Sequence, residues 1–193
     1  AMGSGTEVAK EASDIVILDD NILSISKAIL YGRTIFKSIR KFIIYQLTVN
    51  MCALILSIVG PFIGINTPIT IIQMLWLNMI MDTFAGLAFS FEPALNSYMT
   101  EPPKSKDEPI INSYMIGEVL FTGLYSAVLC ILFLKLPIIR SFIRVGENYK
   151  YLMTAYFALF IFIGVFNSFN ARSERINILA NLTKNKVFIV IIA

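Results

Sequence analysis

The stretch Gln73-Met74-Leu75-Trp76-Leu77-Asn78-Met79-Ile80-Met81-Asp82-Thr83 sets one carboxylate and two amides into an otherwise apolar run. Read outward, that run extends from about Ile69 to Phe91, 23 residues in which Asp82 is the sole charge. A bilayer's hydrocarbon core takes about 20 apolar residues of helix, so the run reads as a membrane span. Asp82 lies 13 residues into it, near the middle. A carboxylate at that depth costs about 2.5–3.5 kcal/mol on insertion scales and normally faces a bundle interior or a water-filled path. The fold expected is therefore a helical membrane bundle, with a functional group at its centre.

Neighbouring segments repeat the pattern. A span of about Phe42 to Gly60 precedes it, stopped by Pro61, and Ile63-Gly64-Ile65-Asn66-Thr67-Pro68 is a short link. Residues 92–112 carry Pro93, Pro102, Pro103 and Pro109 and read as a loop. Further spans are expected at about Tyr114 to Leu136, stopped by Pro137, and Tyr151 to Phe169, with a truncated one at 187–193. Those last seven residues make about 10 Å of helix, too short to cross, so the chain reads as a fragment cut inside a helix. Upstream, Ile22, Ile25, Ile29, Ile35 and Ile39 recur at helical spacing with no proline between them. Residues 22–41 thus read as a helix running straight into the membrane. Residues 1–21 are polar and mixed, like the edge of a soluble domain, and carry no signal-peptide pattern.

Composition agrees. Hydrophobic residues make up 56% of the 193 and charged residues 15%, against about 45–50% and 25% in soluble domains; mean hydropathy is +0.72. A net charge of +3 is too small to argue for nucleic acid. Histidine is absent, which removes the usual zinc ligand and general base, and Cys52 and Cys130 fit no metal-ligand spacing. Of the 16 Lys and Arg, the segment before the first span and the 92–112 and 170–186 loops carry all but Lys135, Arg140, Arg144 and Lys150. The positive-inside rule then places the N-terminus and the 92–112 loop in the cytoplasm.

Asn78, four residues before Asp82, shares its face on an α-helix. Asn50 sits about eight residues into the first span, at comparable depth, and the short link makes the two spans antiparallel neighbours. Asn50, Asn78 and Asp82 are therefore the candidate metal residues. Oxygen ligands suit hard cations such as calcium or magnesium, although three side chains fall short of a calcium shell of six to eight oxygens. Backbone carbonyls of an unwound helix, water or a further helix would supply the rest. The plainer reading is that amides in spans hydrogen-bond a neighbouring helix. That is the expectation for Gln46, Thr48 and Gln73; Asn50 is open between the two readings, and Glu118 reads as interfacial.

These residues resemble a known family. Ala1-Met2-Gly3-Ser4-Gly5-Thr6-Glu7-Val8-Ala9-Lys10-Glu11-Ala12-Ser13-Asp14, running to Asp19-Asp20-Asn21, resembles the end of the phosphorylation domain of P-type cation ATPases. Gln46-Leu47-Thr48-Val49-Asn50 resembles the family's fifth transmembrane helix, and Gln73 to Thr83 with Glu92-Pro93 its sixth. The last two blocks are most similar to plasma-membrane-type calcium pumps. Where two-site calcium pumps carry a glutamate, a threonine and another glutamate, this chain has Ala53, Met81 and Gly164. The resemblance thus implies a single cation site.

It further implies an all-α multi-span bundle with a short N-terminal remnant of an α/β phosphorylation domain (1–21) and a cytoplasmic stalk (22–41) within a transmembrane domain of 22–193. The implied activity is ATP-driven calcium export across the plasma membrane, with Asp82 and Asn78 as ligands and Asn50 lining the site. Catalytic and nucleotide sites, ATP and magnesium are expected in a longer parent, since DKTGT and TGDGxNDxP are absent here. The expected partners are the lipid bilayer, calcium and the parent's other domains. Two alternatives stand beside this: a non-catalytic, pump-derived membrane protein, and a pump for manganese or magnesium.

Overall fold

The computed structural model describes residues 1–65, 68–105, 108–143, 150–173 and 182–192. Asn66, Thr67, Lys106, Arg144, Arg175 and Ala193 of the sequence reading lie outside the described residues. Among the described residues, four helices are long and apolar enough to cross a membrane: Ile22–Phe62, Ile71–Ser90, Ser113–Lys135 and Lys150–Arg172. A short α1, Glu7–Glu11, and one isolated parallel bridge, Met2 to Ile17, make up the structure before them.

The chain from Ile22 to Phe62 is one unbroken helix of 41 residues, α2. Asn21 caps its start, its side chain accepting from Leu23 N–H at 3.0 Å. Pro61 sits in the last turn, where its missing N–H ends the hydrogen-bond ladder rather than kinking it. The chain then reverses. Gly64 adopts φ of 85°, a conformation glycine takes without steric cost. A Cβ at Gly60 would lie 2.9 Å from Ile65 O and press into the Pro68 ring. The Gly-Pro-Phe-Ile-Gly run is therefore the material of a tight turn, not of a helix-pairing surface.

Thr70 and Gln73 form a capping box that opens the second span at Ile71, two residues later than the apolar run suggests. This span is composite: α3 (Ile71–Trp76), a π-helical turn (Leu77–Met81) and α4 (Asp82–Ser90). Then follow α5 (Ser113–Lys135), the short α6 (Pro137–Phe142) opened by a proline at its first position, α7 (Lys150–Arg172) and α8 (Lys186–Ile192).

Helix α2 is the spine against which α4, α5 and α7 pack. On α5, Gly123, Ser126, Ala127 and Cys130 are all buried, and Thr48, Cys52 and Ala53 are buried on α2. A Cβ at Gly123 would press within 3.1 Å of Met51. Small residues let membrane helices approach closely, and contact rather than water expulsion holds them there. Tyr45, Leu56, Leu134, Leu152 and Tyr156 complete the core. Phe188 of α8 docks edge-on against Phe89 and Phe169, at centroid distances of 6.2 and 5.3 Å. Leu54, Ile58, Ile72, Phe121 and Phe162 point outward, as lipid-facing residues do.

Candidate cation site

Asp82 is the first residue of α4, and its N–H reaches back five residues to Leu77 O. That long reach is what a π turn is: one extra residue in the coil, a device frequent at functional sites. It has two consequences. Thr83 turns its hydroxyl onto the Met79 carbonyl at 2.5 Å, so local backbone polarity is answered by a side chain. The wider turn also rotates Asp82 relative to Asn78. On an uninterrupted α-helix the two would share a face. Here Asp82 is half-buried against α2 while Asn78 is exposed.

The Asp82 carboxylate meets α2 through Gln46, whose Nε2 donates to Oδ2 at 2.5 Å. Among the described residues Asp82 has no salt bridge. Asn50, one turn further along α2, is half-buried and lines an apolar groove of about 300 Å³ with Leu47, Met51, Met115 and Val119. The structure thus brings Gln46 to Asp82, and no described hydrogen bond joins Asn50 or Asn78 to that carboxylate. The amide that reaches Asp82 is the one whose sequence context suggested only a helix-to-helix contact. Thr48 and Gln73 do not cross helices at all: Thr48 bonds Ile44 O on its own helix at 2.7 Å, and Gln73 serves the capping box.

Next to Asp82, Met81 faces α7. A Cβ at Gly164 would overlap the Met81 Cε methyl and lie 3.8 Å from the Tyr45 hydroxyl. The space next to Gly164 is thus filled by a thioether. Among the described residues no group of three or more His, Cys, Asp and Glu could hold a metal. From the described residues, an ion here would meet one carboxylate and neutral oxygens.

A second charged group lies at the other end of α4. Glu92 is buried, its side chain 7% exposed. Arg172 Nε of α7 donates to it at 2.6 Å, Asn185 Nδ2 at 3.0 Å, and Lys41 Nζ of α2 lies 3.4 Å away. Asn185 also holds Ala88 O at 3.0 Å and caps α8 by accepting from Phe188 N–H. One carboxylate thereby ties α2, α4, α7 and α8 together. The sequence offered little to single it out beyond an acid placed just after a span. The basic face of α2 holds the following loop too. Arg33 donates to Tyr98 O and Glu101 O at 2.5 and 2.7 Å, and Lys37 meets Glu101 at 2.6 Å. Arg40 meets Glu108 at 2.9 Å. Lys104 and then Arg40 hold the Glu108 carboxyl below its ordinary range. A cavity of about 550 Å³ opens here among Lys37, Arg40, Lys41, Glu101 and Glu118.

The family model described as "Cation transporting ATPase, C-terminus" matches residues 66–193. Plasma membrane-type calcium-transporting ATPase 8 of Arabidopsis thaliana is 40% identical over 197 residues, spanning 100% of this chain and 18% of that protein. A putative plasma membrane-type calcium-transporting ATPase 13 of the same plant is 42% identical over 190 residues. Plasma membrane calcium-transporting ATPase 3 of Homo sapiens is 38% identical over 208 residues, with 100% of this chain and 16% of that protein covered. The chain spans less than a fifth of the length of these relatives.

Proposed function

Because this chain belongs to the cation-transporting ATPase family, we propose that it forms the C-terminal membrane part of an ATP-driven plasma-membrane calcium pump. The names of its relatives support calcium as cargo, and oxygen-only ligands fit that ion. The single observation that carries the reading is Asp82: a carboxylate deep in a span, beside a π turn, bonded among the described residues only to a neutral amide. A buried charge without a counter-charge is costly, and a cation passing through the site would offset that cost.

Asp82, Asn78 and Asn50 are the proposed ligand residues of one site. Asn78 and Asn50 would join Asp82 once the π turn and the facing helix surfaces close around the ion. The one-site reading gains support from the packing of Met81 on Gly164, because a thioether methyl fills the space a ligand from residue 164 would need. Magnesium, ATP and the phosphorylation chemistry belong to the parent pump. Residues 1–21 are proposed as the end of its α/β phosphorylation domain, and 22–193 as the transmembrane domain. Residues 22–41 would be the cytoplasmic stalk. An unbroken helix from stalk to mid-membrane transmits displacement along its axis, which suits coupling a phosphorylation event to the ion.

The test uses the full-length parent in inside-out vesicles, with ATP-driven uptake of radioactive calcium. Wild-type uptake that disappears in Asp82→Asn is expected. ATP hydrolysis stimulated by manganese or another cation without calcium uptake would keep the pump and discard calcium. An absence of any cation-stimulated hydrolysis would leave a non-catalytic membrane protein.

A further inference from the structure

We propose that Gln46 is a switching ligand of this same site, its amide holding the Asp82 carboxylate when no ion is bound and turning its oxygen to the cation when one arrives. The inference rests on the reading of Asp82 as the cation-bearing carboxylate. Nε2 of Gln46 donates to Oδ2 of Asp82 at 2.5 Å, so a donor occupies a lone pair that a cation would use. The other end of the same amide, Oε1, is buried with no hydrogen-bond partner among the described residues. Buried carbonyl oxygens are nearly always paired, and one left over beside a carboxylate needs a reason.

The chemistry of the pair supplies that reason. With a cation on Asp82, the Gln46 N–H would point its positive end at the ion. A half-turn about the terminal torsion, which is broad and nearly two-fold, exchanges nitrogen and oxygen in almost the same space. No backbone movement is required. The turned amide presents an oxygen of the kind calcium takes, and the shell of one carboxylate and two asparagines gains a fourth side-chain ligand. Position favours it as well. Gln46 and Asn50 stand one turn apart on α2, and Gln46 is the one of the two whose side chain meets Asp82 in the structure.

The experiment compares Gln46→Leu, Gln46→Asn and Gln46→Glu in the full-length parent, reading the calcium dependence of ATP-driven uptake together with the thermal midpoint. Gln46→Leu removes the oxygen and should raise the half-saturating calcium concentration by about tenfold or more. Gln46→Asn, too short to reach, should do much the same and stands in if the leucine variant does not fold. Gln46→Glu keeps an oxygen while losing the donor, and should stay within about threefold of wild type, which is roughly 0.7 kcal/mol at 1.4 kcal/mol per decade. If the amide served only to steady Asp82, Gln46→Glu would set two carboxylates together and lose at least as much as the leucine variant; that result overturns the proposal. Unchanged calcium dependence in both Gln46→Leu and Gln46→Asn overturns it too. When wild type takes up calcium and Asp82→Asn does not, such a failure is confined to Gln46. When wild type takes up no calcium, the reading of the site itself has failed.

Discussion

Glu92 and Asp82 stand at the two ends of α4 and are treated in opposite ways. Glu92 has an arginine, a lysine and an asparagine around it, drawn from three other helices. Asp82 has one neutral amide. Buried charge must be compensated, and compensation from fixed side chains makes a rigid joint. A carboxylate left with a neutral partner is compensated only when something mobile arrives. The difference teaches how one short helix can be anchored and responsive at once: its Glu92 end is held in the bundle, and its Asp82 end opens onto a π turn.

That contrast can be broken in order of expected effect. Glu92→Gln removes the carboxylate that Arg172 and Lys41 share, and should cost about 3–5 kcal/mol of stability, read as a lower thermal midpoint. The folded fraction should still bind calcium. Asp82→Asn should do the reverse, leaving the midpoint unchanged or higher while abolishing cation binding, since a functional charge is removed at no structural loss. Gly164→Leu overpacks the Met81 contact and should cost about 1–3 kcal/mol in the same melt while weakening calcium-dependent uptake. Lys37→Met breaks a partly exposed pair with Glu101, worth about 1 kcal/mol or less; a modest rise in proteolysis of the 92–112 loop would register it. The smallest effect is that of pH on Glu108. Its carboxyl is held low by Lys104 and Arg40, so its contribution is complete above the ordinary glutamate range near pH 4.3 and fades only below it. Loop proteolysis should therefore be flat between pH 6 and 8.

Much of this was legible in the sequence. Run length and the punctuation of Pro61, Pro68 and Pro137 anticipated four long apolar helices, although the first runs unbroken from Ile22 with no boundary at residue 42. Asp82 declared itself by the cost of its depth. What periodicity could not give was the π turn: an α repeat carried past Trp76 puts Asn78 and Asp82 on one face, whereas one extra residue in the coil parts them. Gln46 was equally hidden. An amide in a span reads alike whether it meets a backbone carbonyl or a carboxylate, and only the facing helix decides which. The Glu92 cluster joins residues 41, 92, 172 and 185, separations that no local pattern reports.

The most direct test of the account is the number of calcium ions bound at equilibrium per solubilised parent pump, measured with radioactive calcium for wild type, Asp82→Asn and Glu92→Gln. One ion is expected for wild type, none for Asp82→Asn, and one per folded molecule for Glu92→Gln. Two ions in the wild type, or an ion retained by Asp82→Asn, would contradict it.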